Sequence, residues 1–136
     1  MVYVIAYATI LIVYCAIDAV WLSVMAPRMY KPTLRDILLK DFRLAPAIVL
    51  YLAYPAGILV FATLPALDAG SARPALIYGA LLGALAYATY DLTNYATLRN
   101  WTLRMTVIDI IWGAVVTAIP AMASFYATGF TRSFFG

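Results

Sequence analysis

The chain has 136 residues, 66% of them apolar or aromatic and only 11% charged, with a mean hydropathy of +0.94. A water-soluble domain runs at about half apolar and a quarter charged, so this composition excludes one and calls for lipid as the covering solvent. The sequence has no histidine, one cysteine and six acidic residues that are all aspartate, so bis-histidine haem, zinc sites, Ser-His-Asp or Cys-His pairs and a disulfide framework lack their parts.

Apolar runs of about 20 residues, the length that crosses a hydrocarbon core of about 30 Å, predict four spanning helices. They cover Val2–Ala26, Ala45–Leu64, Pro74–Thr97 and Met105–Thr128. The first has no basic n-region and outlasts a secretory h-region, so it reads as a permanent helix, with Cys15 a small packing residue. Pro27 and Pro32 are expected to end it. In the connection that follows, Thr33 and Asp36 resemble a weak capping box, and Leu34, Ile37, Leu38 and Phe42 share a face, which predicts a short interfacial helix. Pro55 falls inside the second helix, where it predicts a kink or local unwinding, and Pro65 is expected to close that helix. Pro74 suits the first turn of the third helix, and Pro120 predicts a second kink within the fourth. The expected fold is therefore an all-α membrane protein, one compact antiparallel four-helix bundle over residues 1–136.

Seven of the nine cations sit in the first and third connections: Arg28, Lys31, Arg35, Lys40, Arg43, Arg99 and Arg104. Only Arg73 and Arg132 lie on the other side. By the positive-inside rule those two connections are cytoplasmic and both ends of the chain are extracytoplasmic, as in a bacterial inner membrane. The net charge of +3 then reads as topology and lipid contact, with no nucleic-acid partner.

Asp36, Asp41 and Asp68 fall in connections, whereas Asp18, Asp91 and Asp109 fall inside predicted spans. An aspartate near the centre of a spanning helix costs about 2.5–3.5 kcal/mol on insertion scales, so each of the three needs a reason. Counting about 1.5 Å per residue from the flanking arginines puts all three very roughly 8–15 Å inside the same leaflet. Trp21 and Trp112 each follow an aspartate by three residues, so an indole N–H donor shares its helix face. Tyr87, Asp91 and Asn94 form one stripe, which Gly79 and Gly83 continue, allowing a partner helix to approach closely. Asp18, Trp21, Tyr87, Asp91, Asn94, Asp109 and Trp112 are thus the candidate ligand-binding residues. At least one of the three aspartates is expected to be neutral at pH 7. Tyr3, Tyr30, Tyr126 and Trp101 read as an interfacial belt.

The spacing demands neither metal nor cofactor, although three aspartates and Asn94 offer oxygen ligands for a hard divalent ion. Retinal is excluded because both lysines, Lys31 and Lys40, lie in the first connection. The aspartates could also simply join helices through polar pairs. If they form a functional site, three readings stay open: a lipid or amphiphile binding or accessory protein, a small proton- or cation-coupled transporter working as a homodimer, and a membrane-embedded enzyme that modifies lipid. All three partner the protein with membrane lipids.

The blocks Asp18-Ala-Val-Trp-Leu22, Gly79-Ala-Leu-Leu-Gly83, Tyr87-Ala-Thr-Tyr-Asp-Leu-Thr-Asn-Tyr-Ala-Thr-Leu98 and Val107-Ile-Asp-Ile-Ile-Trp-Gly113, with Tyr51 and Tyr54, resemble a family of bacterial membrane proteins, domain of unknown function 2177. The resemblance covers nearly the whole chain. It implies a four-helix inner-membrane protein with a lipid-linked role and no assigned activity, and its motif positions match Asp18, Trp21, Asp91, Asn94, Asp109 and Trp112.

Overall fold

The structure, a computed structural model, describes residues 1–135 and is helical, with no strand among the described residues. Four helices are long and apolar enough to cross a membrane: α1 (Val2–Ile37), α2 (Leu44–Ala69), α3 (Arg73–Thr97) and α4 (Leu103–Phe135). The shortest has 25 residues, which at about 1.5 Å each exceeds a core of about 30 Å. Large apolar side chains such as Ile12, Leu50, Phe61, Leu85 and Ile111 cover the outside. In water that surface would be costly, whereas against lipid tails it costs nothing.

The prolines act differently from their expected role as terminators. Ala26–Tyr30 forms a π-helical turn in which the Lys31 N–H donates to the Ala26 carbonyl, and helix resumes over Lys31–Leu34. Pro27 and Pro32 each occupy the first positions of a newly phased segment, where a missing amide costs little. No side-chain cap at Thr33 starts this helix: Lys31–Leu34 continues from the π-helical turn, Arg35, at φ 41°, breaks it, and a 3-10 turn over Arg35–Ile37 ends at the extended Leu38. The same device recurs in α2. A π-helical turn at Leu59–Thr63 follows Pro55, and Pro65 sits in the first turn of Leu64–Ala69. That helix closes at Gly70, whose φ of 65° places Ser71 N–H on the Ala66 carbonyl (3.2 Å) and Gly70 N–H on that of Leu67 (3.3 Å). The unwinding expected near Pro55 is therefore present. At Pro120, by contrast, α4 stays α-helical and runs on to Phe135.

Pro74 lies in the first turn of α3, as expected. The Thr102 hydroxyl accepts the Met105 N–H at 3.1 Å and caps the start of α4. Half of the most apolar stretch of α4 is buried, against 22% for each of the others, so α4 is the helix on which the bundle is built. Its main partner is α3, then α1. The expected stripe of small residues explains the closeness: a Cβ on Gly83 would collide with the Gly113 carbonyl oxygen, and one on Gly113 with the ring of Tyr87. Leu59–Thr63 of α2 packs on α3, whereas Leu44–Ile58 packs on α1. The first half of α2 thus leaves α3 uncovered on that side.

Candidate functional site

The site begins with the stripe that α1 turns inward. Ala6, Ile10, Tyr14 and Asp18 are its buried residues at spacings of four. Asp18 is 5% exposed, and Asp109 of α4 is 4% exposed. Each carboxylate accepts from two directions or through a chain of hydroxyl and indole. Tyr51 OH donates to Asp18 Oδ2 and Trp112 Nε1 to Asp18 Oδ1 at 3.2 Å. Tyr30 OH donates to Asp109 Oδ1, and Trp21 Nε1 donates to Tyr30 OH at 3.1 Å. The pairing is crossed: Trp112 serves the aspartate of α1 directly, Trp21 is linked to that of α4 through Tyr30 of its own helix, and neither serves the aspartate three residues before it. The two indole rings stack at 4.4 Å with planes 4° apart, and of their N–H groups that of Trp112 reaches across to the other helix.

Beside this crossing lies a cavity of about 750 Å³. It occupies the side where the first half of α2 stands away from α3. Asp18 and Asp109 both border it. The aromatic lining comes from every helix: Tyr14, Trp21 and Tyr30 from α1, Tyr51 and Tyr54 from α2, Tyr87 and Tyr90 from α3, and Trp112 from α4. Leu34, Leu38 and Phe42 add an apolar wall from the end of α1 and the α1–α2 connection. Lys31, itself exposed, is the only basic side chain among the lining residues described. Tyr14 packs against Tyr51 (5.6 Å) and Tyr54 (5.3 Å), and Tyr54 OH shares a 2.7 Å hydrogen bond with Thr117 Oγ1. The hydroxyl tips are held by partners and the ring faces by neighbours, so the space is held open by packed rings.

Of the seven candidate residues, Asp18, Trp21, Tyr87, Asp109 and Trp112 line the cavity. Asp91 and Asn94 do not. Asn94 is half-buried on α3 beside Tyr90. Asp91 is fully buried behind the wall, facing Asp109, and both of its carboxyl oxygens lack a hydrogen-bond partner. Among the described residues, no three acidic or sulfur side chains come close enough together to hold a metal ion.

Two residues assigned to the interfacial belt belong elsewhere. Tyr30 donates to Asp109, and Trp101, only 5% exposed, donates to Thr106 Oγ1 at 3.1 Å and meets Tyr90 edge-on. Tyr3 and Tyr126 are exposed, as a belt requires. Tyr14 had a signal in the sequence, since it precedes Asp18 by four residues and so shares its face. Tyr30 had none. At 3.6 residues per turn, nine residues would place it about half a turn around the helix from Trp21, and the π-helical turn at Ala26–Tyr30 is what changes its direction. Met29 and Leu34 then pack on Trp101 and Met105, fixing the end of α1 against the start of α4.

Residues 3–126 match the model of a family described as predicted membrane protein (DUF2177), and the chain belongs to that family. No curated protein and no solved structure matches the chain.

Proposed function

We propose that this membrane protein binds an amphiphile whose ammonium head meets Asp18 and Asp109 and whose chain lies along the apolar wall. The observation that carries this reading is the cavity itself. Its volume suits one small molecule, and it combines two buried carboxylates, nine aromatic side chains and several aliphatic ones. Carboxylates repel an anionic head. They attract an ammonium, whose N–H groups fill the lone pairs that Tyr51, Trp112 and Tyr30 leave free, and the tyrosine and indole faces add cation–π attraction. Lys31 can hold its charge out at headgroup level on its long stem.

In the same reading the helices run antiparallel in the inner membrane. Both ends of the chain are extracytoplasmic, and the cavity lies in the cytoplasmic leaflet, because seven of nine cations flank that side. An alkaline phosphatase fusion at the C-terminal end is expected to be active; a bright fluorescent fusion there would reverse the orientation.

The test of binding uses the protein in nanodiscs and chain-brominated dodecylamine. Bromine in the cavity quenches Trp21 and Trp112. Saturable quenching is expected at low mole fraction, strong for the amine and absent for the brominated alcohol and carboxylic acid of equal chain length. Equal quenching by all three heads would mean ordinary membrane partition and remove the proposal.

A further inference from the structure

We infer that Asp91 and Asp109 form a proton-binding pair whose proton departs when a cationic head enters the cavity, so that ligand and proton exchange at one site. This rests on the reading that the cavity takes an ammonium head.

The starting observation is the isolation of Asp91. It has no exposed surface, and neither carboxyl oxygen has a partner. A buried polar group without a partner is rare, and a buried charge without one costs several kcal/mol by any scale. What Asp91 faces is Asp109. The two helices that carry them are pinned one to two turns away by the Gly83–Gly113 contact, which leaves little room to move apart. The other groups facing the pair are Tyr30 and Asp18 from α1 and Tyr90 from α3. None of these brings a positive charge. Tyr30 already gives its hydroxyl proton to Asp109. Arg99, Arg104 and Lys31 are all exposed, and of the three only Lys31 borders the cavity. Two facing carboxyls in such a place cannot both be charged, and one proton between them gives each an oxygen partner.

The position of the pair makes the proton responsive. Asp109 lines the cavity and Asp91 does not, so a ligand reaches one member only. When an ammonium settles on Asp109, its charge takes the place of the proton's. The pair goes from one carboxylic acid and one carboxylate to two carboxylates, one proton leaves, and the net charge of the site is unchanged. By linkage, a proton must weaken amine binding by the same factor that the amine weakens proton binding.

Two measurements on the whole protein in nanodiscs test this. Infrared spectra of the ligand-free protein at pH 7 should contain a carboxylic-acid C=O band, and Asp91→Asn should remove it. Calorimetric titration with dodecylamine in buffers of different ionisation enthalpy should show about one proton released per amine in the wild type and none in Asp91→Asn, which keeps the side chain's shape. Correspondingly, wild-type affinity should fall by up to about tenfold for each pH unit of acidification below neutrality, and that of Asp91→Asn should stay flat. The pair is overturned if the wild type lacks the band or if the band survives Asp91→Asn. The exchange is overturned if wild-type protein binds the amine and releases no proton, a result that needs no variant to fold. If the amine does not bind at all, the ligand reading and the exchange fail together, and the infrared band alone decides whether the pair holds a proton.

Discussion

The two halves of this bundle are built from different materials and do different things. In the half that contains Ala6, Ile10, Ala62, Ala66, Ala75 and Ala121, every one of these side chains is fully buried and most are a single methyl group. Helices meet there almost backbone to backbone, and Ser124 Oγ donates straight to the Ala6 carbonyl at 2.9 Å. In the half that contains Asp18 and Asp109, the same helices are kept apart by tyrosine and tryptophan, and a cavity remains. Small residues close space because nothing stands between the backbones; large rings tethered at their polar tips leave space because they cannot collapse into it. Gly83 and Gly113 mark the boundary, where the Tyr87 ring begins against the last close contact.

The comparison can be broken most forcefully at that boundary. Gly83→Leu places a side chain where even a Cβ meets the Gly113 carbonyl, so a loss of about 3 kcal/mol or more is expected, read as a collapse of the denaturation midpoint in detergent. Retention of wild-type stability would show that α3 and α4 are not in contact there. The next effect belongs to the open half. Asp18→Asn keeps one acceptor oxygen where Tyr51 and Trp112 use two and loses its charge, so amine affinity should fall roughly 10- to 100-fold, the equivalent of about 1.5–3 kcal/mol, with only about 1 kcal/mol of stability lost.

Trp112→Phe sharpens the crossed pairing. It keeps a ring stacked on Trp21 but removes the donor to Asp18, and about 0.6–1 kcal/mol of stability should be lost. A double-mutant cycle with Asp18→Ala should recover most of that as coupling, whereas a cycle between Trp112→Phe and Asp109→Ala should not. The smallest effect is a control. Gly57 on α2 has nothing within 4 Å of an added Cβ, so Gly57→Ala should change stability by no more than about 1 kcal/mol, in the stabilising direction.

Much of this was legible in the sequence because membrane physics acts through local quantities. A run of apolar residues long enough to cross lipid must be a helix, so the number of spans and their central segments followed from hydropathy. The position of Asp18, Asp91 and Asp109 within long apolar helices followed from the hydropathy around them, and the approach of α4 to the Gly79–Gly83 face from the absence of side chains there. Helix ends were less legible. A proline removes one donor, but the two π-helical turns that absorb Pro32 and Pro65 depend on how the chain after them is packed, and Met29 and Leu34 on Trp101 hold the first of these.

What the sequence by itself determined, then, is which residues of each helix share a face and how far apart they stand along it, since rise and period are properties of a single helix. Three decisions belonged to the tertiary structure. Trp112 serves the aspartate of α1, and Trp21 is linked to that of α4 through Tyr30, because the two helices lie at an offset that stacks the rings and leaves neither indole on the aspartate three residues before it. Tyr30 joins Asp109 because a π-helical turn resets the phase that a regular helix would have kept. Asp91 faces inward with the other aspartates yet lies behind the cavity wall, because α3 is drawn tight against α4 while the first half of α2 is not drawn against α3. Each of these depends on the relative placement of two helices, and that placement is set by the sum of all their contacts.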